Sequence, residues 1–276
     1  MSEGVYITKN DGRRELFSAE KLAASLHRSG AGEKTISAIL EHIQGELKDG
    51  ISTSAIYHHA FFLLHKIERP VALQYSIKKA VMELGPSGFP FESFVAEIFK
   101  DRGFSVKTDQ IVQGFCVDHE VDVVAWNENK LIMVEAKFHN GFDLKSDIKI
   151  ALYVKARFDD LKKASFLIEN KKRTLDEGWL VTNTKFSETA IKYGECQNFK
   201  MVGWNYPHRG SLLHMIEDGD IHPITCLSTL SKMEKEILLK QGIVLCKKIA
   251  ADPNILSLIN AEGEKRQSIL DEIQLL

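Results

Sequence analysis

Only four cysteines occur in the 276 residues, Cys116, Cys196, Cys226 and Cys246, and no two form a CxxC pair. That argues against a zinc ribbon or a disulfide framework and fits a reducing compartment. The ten histidines form no HxxxH or HExxH arrangement, so their spacing offers no zinc site. No G-x-x-x-x-G-K-[ST] loop is present, which leaves ATP hydrolysis by a P-loop engine unsupported. Long apolar runs are missing as well. "AFFLL" at 60–64 is far too short to span a bilayer, and "MSEGVYITKNDG" lacks the apolar core of a signal peptide. No repeat or low-complexity tract appears. Neither sign of charge is in excess, with 36 Lys+Arg against 38 Asp+Glu and a net charge of −2. A nucleic-acid surface on such a chain must be a local patch. The expectation is a soluble cytoplasmic protein with no membrane partner.

What is present divides into three regions. At 44% hydrophobic residues, the chain is long enough for two or three cores. Residues 1–85 read as strand, turn, strand and then mostly helix. "VYIT" runs into the turn signal "NDGR", and Ser18 is a plausible N-cap for a helix from Ala19 with Glu20 in its first turn. Thr53 is the expected N-cap of a later helix whose apolar stripe is Ile56, Ala60, Leu63, Leu64 and Ile67. Pro70 opens another helix through Ala80, and "GPSGFP" at 85–90 is the best domain boundary. From Phe91 the pattern becomes mixed α/β: an amphipathic helix closed by Gly103, then strands "FSVKT", "EVDVVAW" and "LIMVEAK". "KSDIKIALYVKARFDDLKKASFLI" reads as one long helical segment, followed by strand, helix and strand through "GWLVTNTKFS", "SETAIKYGECQ" and "FKMVGW". Residues 222–276 read as short helices.

The chemistry concentrates where two strands carry acids. Leu131–Val134 is the apolar run of a strand covered on both faces, yet Glu135 and Lys137 follow on one face of it. Asp122 interrupts "VDVVAW" in the same way, and a buried carboxylate is expensive unless its charge is compensated. One divalent cation between adjacent strand ends satisfies both, since oxygen ligands suit Mg²⁺. Lys137 then positions or deprotonates a water, or offsets charge on a phosphate. The bland alternative is a surface Glu135–Lys137 salt bridge with Asp122 facing solvent. The preceding helix and the close spacing of the two acidic strands favour the metal reading. Glu120 shares the strand face of Asp122 as an extra candidate ligand, with His119 as a supporting or phosphate-contacting group; an exposed hairpin carrying polar residues accounts for these two equally well.

"FESFVAEIFKDRGFSV…HEVDVVAWNENKLIMVEAKF" resembles the catalytic core of the PD-(D/E)xK nucleases, nearest to the Mrr-like restriction endonucleases. The resemblance covers 89–217, including "WLVTNTKFSETAIKYGE". It implies a restriction-endonuclease-like α/β fold with a mixed sheet flanked by helices. It also implies catalytic roles for Glu92, Asp122, Glu135 and Lys137, with a Mg²⁺ (or Mn²⁺) held by Asp122, Glu135 and the carbonyl of Ala136. The implied substrate is DNA, with RNA left open.

"VYITKNDGRRELFSAEKL" is similar to the ATP-cone, a nucleotide-sensing module, through Val5 or Ile7, Lys9, Asp11, Gly12, Phe17 and Lys21. The chain departs from that pattern at Asn10 and Gln74. Lys9 on a strand and Lys21 in a helix can converge on a triphosphate, while Glu15 and Thr53 suit hydrogen bonds to base or ribose. The resemblance implies ATP or dATP as regulatory ligand, and a homo-oligomer whose subunit contacts respond to it.

"ITCLSTLSKMEKEILLKQGIVLC" at 224–246 is weakly similar to a helix-hairpin-helix, but its hairpin glycine pattern is incomplete and a helical cap on the sheet is the preferred reading. The basic stretch 145–173 reads either as a solvated helix face or as a phosphate track. The sequence thus points to a nucleotide-regulated, Mg²⁺-dependent DNA endonuclease. The alternative is a nucleotide-responsive nucleic-acid-binding regulator that does not cut.

Overall fold

The computed structural model describes residues 5–9, 13–28, 30–141 and 144–276. The chain forms two compact units, Met1–Lys79 with Asp271–Leu276, and Ala80–Leu270. Among the described residues no helix is long and apolar enough to cross a membrane.

The first unit opens with an antiparallel hairpin, β1 (Tyr6–Thr8) and β2 (Arg14–Leu16), in which Ile7 lies opposite Glu15. The expected turn residues Asn10, Asp11 and Gly12 fall outside the described residues. Helix α1 (Ala19–Arg28) starts as its sequence dictates: the Ser18 hydroxyl accepts from Lys21 N–H at 3.2 Å and donates to the Glu20 carboxylate at 2.7 Å. Helices α2 (Glu33–Glu46), α3 (Thr53–Ile67) and α4 (Arg69–Met82) follow. Thr53 is not the cap of α3. Ser52 has the extended backbone and accepts from Ala55 N–H, while the Thr53 hydroxyl, inside the first turn, donates to the Thr8 carbonyl at 3.1 Å. The apolar stripe of α3 also stops early: Ile56, Ala60 and Leu64 are buried, whereas Ile67 is exposed. These three join Leu22, Leu26, Ile36, Ile39 and Ile43 in one core. Helix α4 runs through the division between units at Lys79, and the "GPSGFP" stretch lies within the second unit.

The second unit is built on a five-stranded mixed sheet. Helix α5 (Phe89–Asp101) leads into β3 (Ser105–Gln113), β4 (Asp118–Trp126) and β5 (Leu131–Lys137), which pair antiparallel in sequence order. After β6 (Lys145–Ser146), α6 (Ile148–Leu161), β7 (Phe166–Ile168) and β8 (Lys171–Arg173), strand β9 (Glu177–Thr182) joins β5 in parallel. Then come β10 (Lys185–Phe186), α7 (Glu188–Cys196) and β11 (Lys200–Val202), giving the order β11-β9-β5-β4-β3. Adjacent residues of β9 show how the layers are arranged, because strand side chains alternate between faces. Trp179 meets Phe99 of α5 edge-on, and Leu180 lies in the cluster containing Ala151, Val154 and Phe158 of α6 and Ala190 of α7. Helix α5 therefore covers one face of the sheet, and α6 with α7 cover the other.

The long helix expected over 145–168 is broken at both ends. Asp147 accepts from the N–H groups of Lys149 and Ile150 and so starts α6 only at Ile148. Beyond Leu161 the chain turns into a β7–β8 hairpin through Glu169 and Asn170, both with positive φ. The basic residues are accordingly spread over strand, helix and hairpin and do not form a single helical face.

The remainder is helical: α8 (Leu212–Asp218), a 3₁₀ turn at Ile224–Cys226, α9 (Lys232–Lys240), α10 (Cys246–Ala251), a 3₁₀ segment at Pro253–Ile259 and α11 (Gly263–Ile273). The α9–α10 segment is tied to the helix α5 that covers the sheet. Glu97 of α5, nearly buried, receives Lys100 at 2.7 Å and Lys248 of α10 at 2.9 Å. Burial pushes the Glu97 carboxyl up, but the hydrogen bonds from Lys100 and Lys248 outweigh it and hold the group below its ordinary value.

A folded value below the unfolded one means that this pair stabilises above the usual carboxylate range and is lost as pH falls through the folded value. Glu97→Gln is expected to cost about 1–2 kcal/mol at neutral pH, because it leaves two ammonium groups without their shared negative charge. Urea unfolding should show the gap between wild type and variant closing as pH is lowered below about 4.

Candidate active site

The register of β4 against β5 pairs Val123 with Val134, and the next step along it sets Asp122 across from Glu135. Side chains directly opposite in an antiparallel pair share a face, so the two acids are neighbours by construction. One Asp122 oxygen accepts the Ala136 N–H at 2.7 Å. On the other side of β4, the register with β3 brings Asp109 alongside Asp122, with Asp109 at φ 54°. Glu92 reaches the same corner from the first turn of α5, and its carboxylate folds over Gly88, where an added Cβ would lie 2.8 Å from it.

The electrostatics follow from this crowding. Burial, then repulsion from Asp122, Asp109, Glu120 and Glu135, pushes Glu92 up to about 7. Burial and Asp122 push Glu135 up to about 7 against the opposing pull of Arg157 and Lys137. Asp122 is raised chiefly by burial, with the Ala136 N–H and Arg157 working against it. The site thus holds a surplus of negative charge in a partly dry corner. All four residues expected from the sequence contribute to it: Glu92, Asp122 and Glu135 interact directly, and Lys137 acts on Glu135 from the exposed end of β5.

Arg157 of α6 was hidden in the basic stretch. Its guanidinium pairs with Glu135, donates to the Glu120 carbonyl at 3.0 Å and to the Tyr153 hydroxyl at 2.7 Å, and stacks over the Tyr153 ring. Its Nε is buried without a partner. The spacing of Tyr153 and Arg157, one helical turn apart, was the available signal. His119 does not face the carboxylates. It pairs with Asp160 at 2.8 Å, and the same carboxylate accepts the Cys116 N–H at 2.9 Å and the Val117 N–H. Asp160 so pins the β3–β4 turn, which displays Phe115 and Val117 to solvent. Gly114 is required there, since a Cβ would collide with Asp160 and the Val117 carbonyl.

Carboxylates are the oxygen donors that a Mg²⁺-sized cation takes, and such a cation would relieve the repulsion that raises Glu92 and Glu135. In the present arrangement, among the described residues, these carboxylates do not bring three ligand oxygens within 4.8 Å of one another, and Arg157 holds one Glu135 oxygen. The donor set fits a hard divalent ion once Glu135 turns from Arg157.

In the first unit, Glu15 draws Lys9 to 3.0 Å and Lys21 to 3.6 Å, and these contacts hold its carboxyl below the ordinary value, the Lys9 hydrogen bond first. The Thr53 hydroxyl lies on Thr8, the residue before Lys9. The four expected nucleotide-contacting residues therefore occupy one neighbourhood. The Gln74 side chain lies outside the described residues.

A five-stranded mixed sheet with an acid-rich strand edge is the architecture of a restriction-endonuclease-like domain, and the restriction endonuclease (Mrr catalytic) family profile matches residues 85–205. A second profile, described as AF1548-like, C-terminal, matches 222–276. An uncharacterized protein of Archaeoglobus fulgidus is 35% identical over 182 residues, which is 64% of this chain and 97% of that protein. The chain belongs to the family of that protein. A crystal structure described as a protein of unknown function, AF1548, is 32% identical, has a TM-score of 0.55 and covers 68% of this chain and 97% of its own. A complex of the MspJI restriction endonuclease with a 27-mer oligonucleotide is 12% identical with a TM-score of 0.34, a likeness too weak to carry an argument.

Asp160 is held down to about 2, first by its hydrogen bond with His119. Its depressed value means the turn stays pinned across the acid range and is released only as pH approaches 2. Asp160→Ala is expected to speed amide exchange of Cys116 and Val117 several-fold at neutral pH while leaving the β5 core strand protected. Hydrogen exchange read by NMR checks both.

Proposed function

We propose that the second unit is a metal-dependent DNA endonuclease. The observation that carries this reading is the Val123–Val134 pairing, which leaves Asp122 and Glu135 as the next residues of adjacent strands, close enough for Asp122 to repel Glu135, with Lys137 two residues further along β5. A Mg²⁺ or Mn²⁺ ion would be held by Asp122, Glu135 and the carbonyl of Ala136, and when bound it supplies Lewis acidity and a water of lowered pKa. Lys137, on the same strand face as Glu135, orients that water or offsets charge gathering on the phosphate. Glu92 flanks the ligands from α5, and Arg157 keeps Glu135 from being an isolated buried charge. Phe115 and Val117, presented on the pinned turn, are apolar groups available to a nucleic-acid groove.

The Arg157–Glu135 pair favours a second reading. An arginine that already satisfies the would-be ligand suits a protein that binds nucleic acid without cutting it. Cleavage assays on duplex DNA, single-stranded DNA and RNA, with and without Mg²⁺ or Mn²⁺, separate the two. Asp122→Ala and Glu135→Ala are expected to abolish metal-dependent cleavage with the fold intact by circular dichroism. Lys137→Ala should lose rate and keep metal affinity. Undiminished cleavage by Glu135→Ala would remove the proposed site, and salt-dependent binding without cleavage by the wild type would support the regulator.

We propose further that the first unit takes ATP or dATP. The support is the convergence of Lys9, Glu15, Lys21 and Thr53, in which a triphosphate would take over the two ammonium groups now held by Glu15. Calorimetry of the full chain is expected to give binding that Lys9→Ala with Lys21→Ala removes. A coupling of about 1–3 kcal/mol would alter DNA affinity roughly 5–150-fold, and sedimentation reports any change in assembly. Equal heats from wild type and the double variant would place the nucleotide elsewhere.

A further inference from the structure

The histidines form no metal-binding spacing in the sequence, yet the fold of the first unit gathers two of them around one carboxylate. His42 and Glu46 stand one turn apart on α2, and His59 faces them from α3. The His42 Nε2 lies 3.4 Å from one Glu46 oxygen, and the His59 Nδ1 lies 3.4 Å from the other. The three ligand atoms are all within 4.8 Å of one another, and among the described residues this is the group of His, Cys, Asp and Glu side chains that meets that condition. The two imidazole rings meet edge to face, with centroids 5.0 Å apart.

From this geometry we infer a zinc site that clips α2 to α3. Bonds of about 2.1 Å to a tetrahedral zinc ion set its ligands about 3.4 Å apart; each imidazole nitrogen lies 3.4 Å from its nearer Glu46 oxygen, a different one for each ring, so a small turn of the carboxylate completes the set. The ligands stand on two helices whose neighbouring residues, Ile39 and Ile43 of α2 and Ile56 and Ala60 of α3, belong to one buried core. The site is thus carried by packed backbone and needs only side-chain adjustment to close. Two imidazoles and one carboxylate suit zinc and its transition-metal neighbours, whereas Mg²⁺ takes oxygen ligands. A fourth position stays open for water or another donor. None of the three residues belongs to the nuclease or nucleotide sites, so this ion is a separate one. Without a metal the same residues form an imidazole–carboxylate contact whose strength requires a protonated ring.

The test uses the full-length protein, stripped of metal and titrated with zinc chloride against a chromophoric chelator, in millimolar Mg²⁺ to occupy the nuclease carboxylates. Wild type is expected to bind a zinc equivalent that His42→Ala and His59→Ala each lose, with Glu46→Gln weakening it at least about tenfold. Asp122→Ala should retain that equivalent, which separates this site from the nuclease reading. Crystals soaked in zinc should show an anomalous peak between α2 and α3 at the zinc edge. His42 and Glu46 are largely exposed, so the variants should keep the wild-type circular dichroism; if His59→Ala does not, His59→Gln replaces it. The inference is overturned by wild-type zinc affinity and stoichiometry in the His42→Ala/His59→Ala double variant, or by an anomalous map with zinc elsewhere and none at these residues.

Discussion

Crowding several carboxylates into one half-dry corner of a sheet is the constraint on which the second unit depends. Burial raises the cost of ionising Glu92, Asp122 and Glu135, and repulsion adds to it, from Asp122 on both glutamates and from Glu135 on Glu92. The corner persists because two groups answer it locally: the Ala136 N–H on Asp122 and the Arg157 guanidinium on Glu135. The first is fixed by strand register and the second by where α6 lies on the sheet. The packing of Phe158, next to Arg157, against Phe199 and the sheet core therefore bears directly on the electrostatics of Glu135.

Helix α6 also grips β4 a second time. Asp160, three residues beyond Arg157 and so on the same side of the helix, holds His119 and the amides of Cys116 and Val117. The strand that carries Asp122 is thus anchored at the Glu120 carbonyl and at its entry turn by one helix. A shift of α6 along its axis would disturb the Arg157–Glu135 pair and the exposed turn together. That links the apolar residues at the turn to the acids at the strand edge through a single rigid element.

The strand acids were legible because a carboxylate inside an apolar run is a local anomaly. Period 2 places Glu135 and Lys137 on one face without any knowledge of the fold. Helix α5 was legible for the same reason, its apolar residues Phe91, Phe94, Val95, Ile98 and Phe99 all being buried. What failed were distinctions that depend on tertiary partners. Ser52 and Thr53 are both good caps, and only the Thr8 carbonyl decides that Thr53 spends its hydroxyl elsewhere. Arg157 looked like one basic residue among nine because its partners come from β4 and β5. The His42–Glu46–His59 group was invisible to spacing rules, since its third member arrives from another helix.

The charge balance of the corner bears on which functional reading is the more economical. Asp122, Asp109, Glu120 and Glu135 repel Glu92 there, and Asp122 and Glu120 repel Glu135, while Arg157 and Lys137 oppose them at Glu135. Even with Glu92 and Glu135 partly protonated near neutrality, such a corner repels phosphate. A surface that only bound nucleic acid would gain from replacing these acids, because phosphate affinity rests on cationic contacts. Keeping them has a physical rationale if a divalent cation stands between acids and phosphate, turning repulsion into a bridge. Arg157 then acts as a resident counter-charge that makes the acid cluster tolerable to the fold before the cation arrives. The pair that favours a binding-only protein when viewed alone would, within the whole set of charges, let the fold tolerate its acids until a cation bound between them.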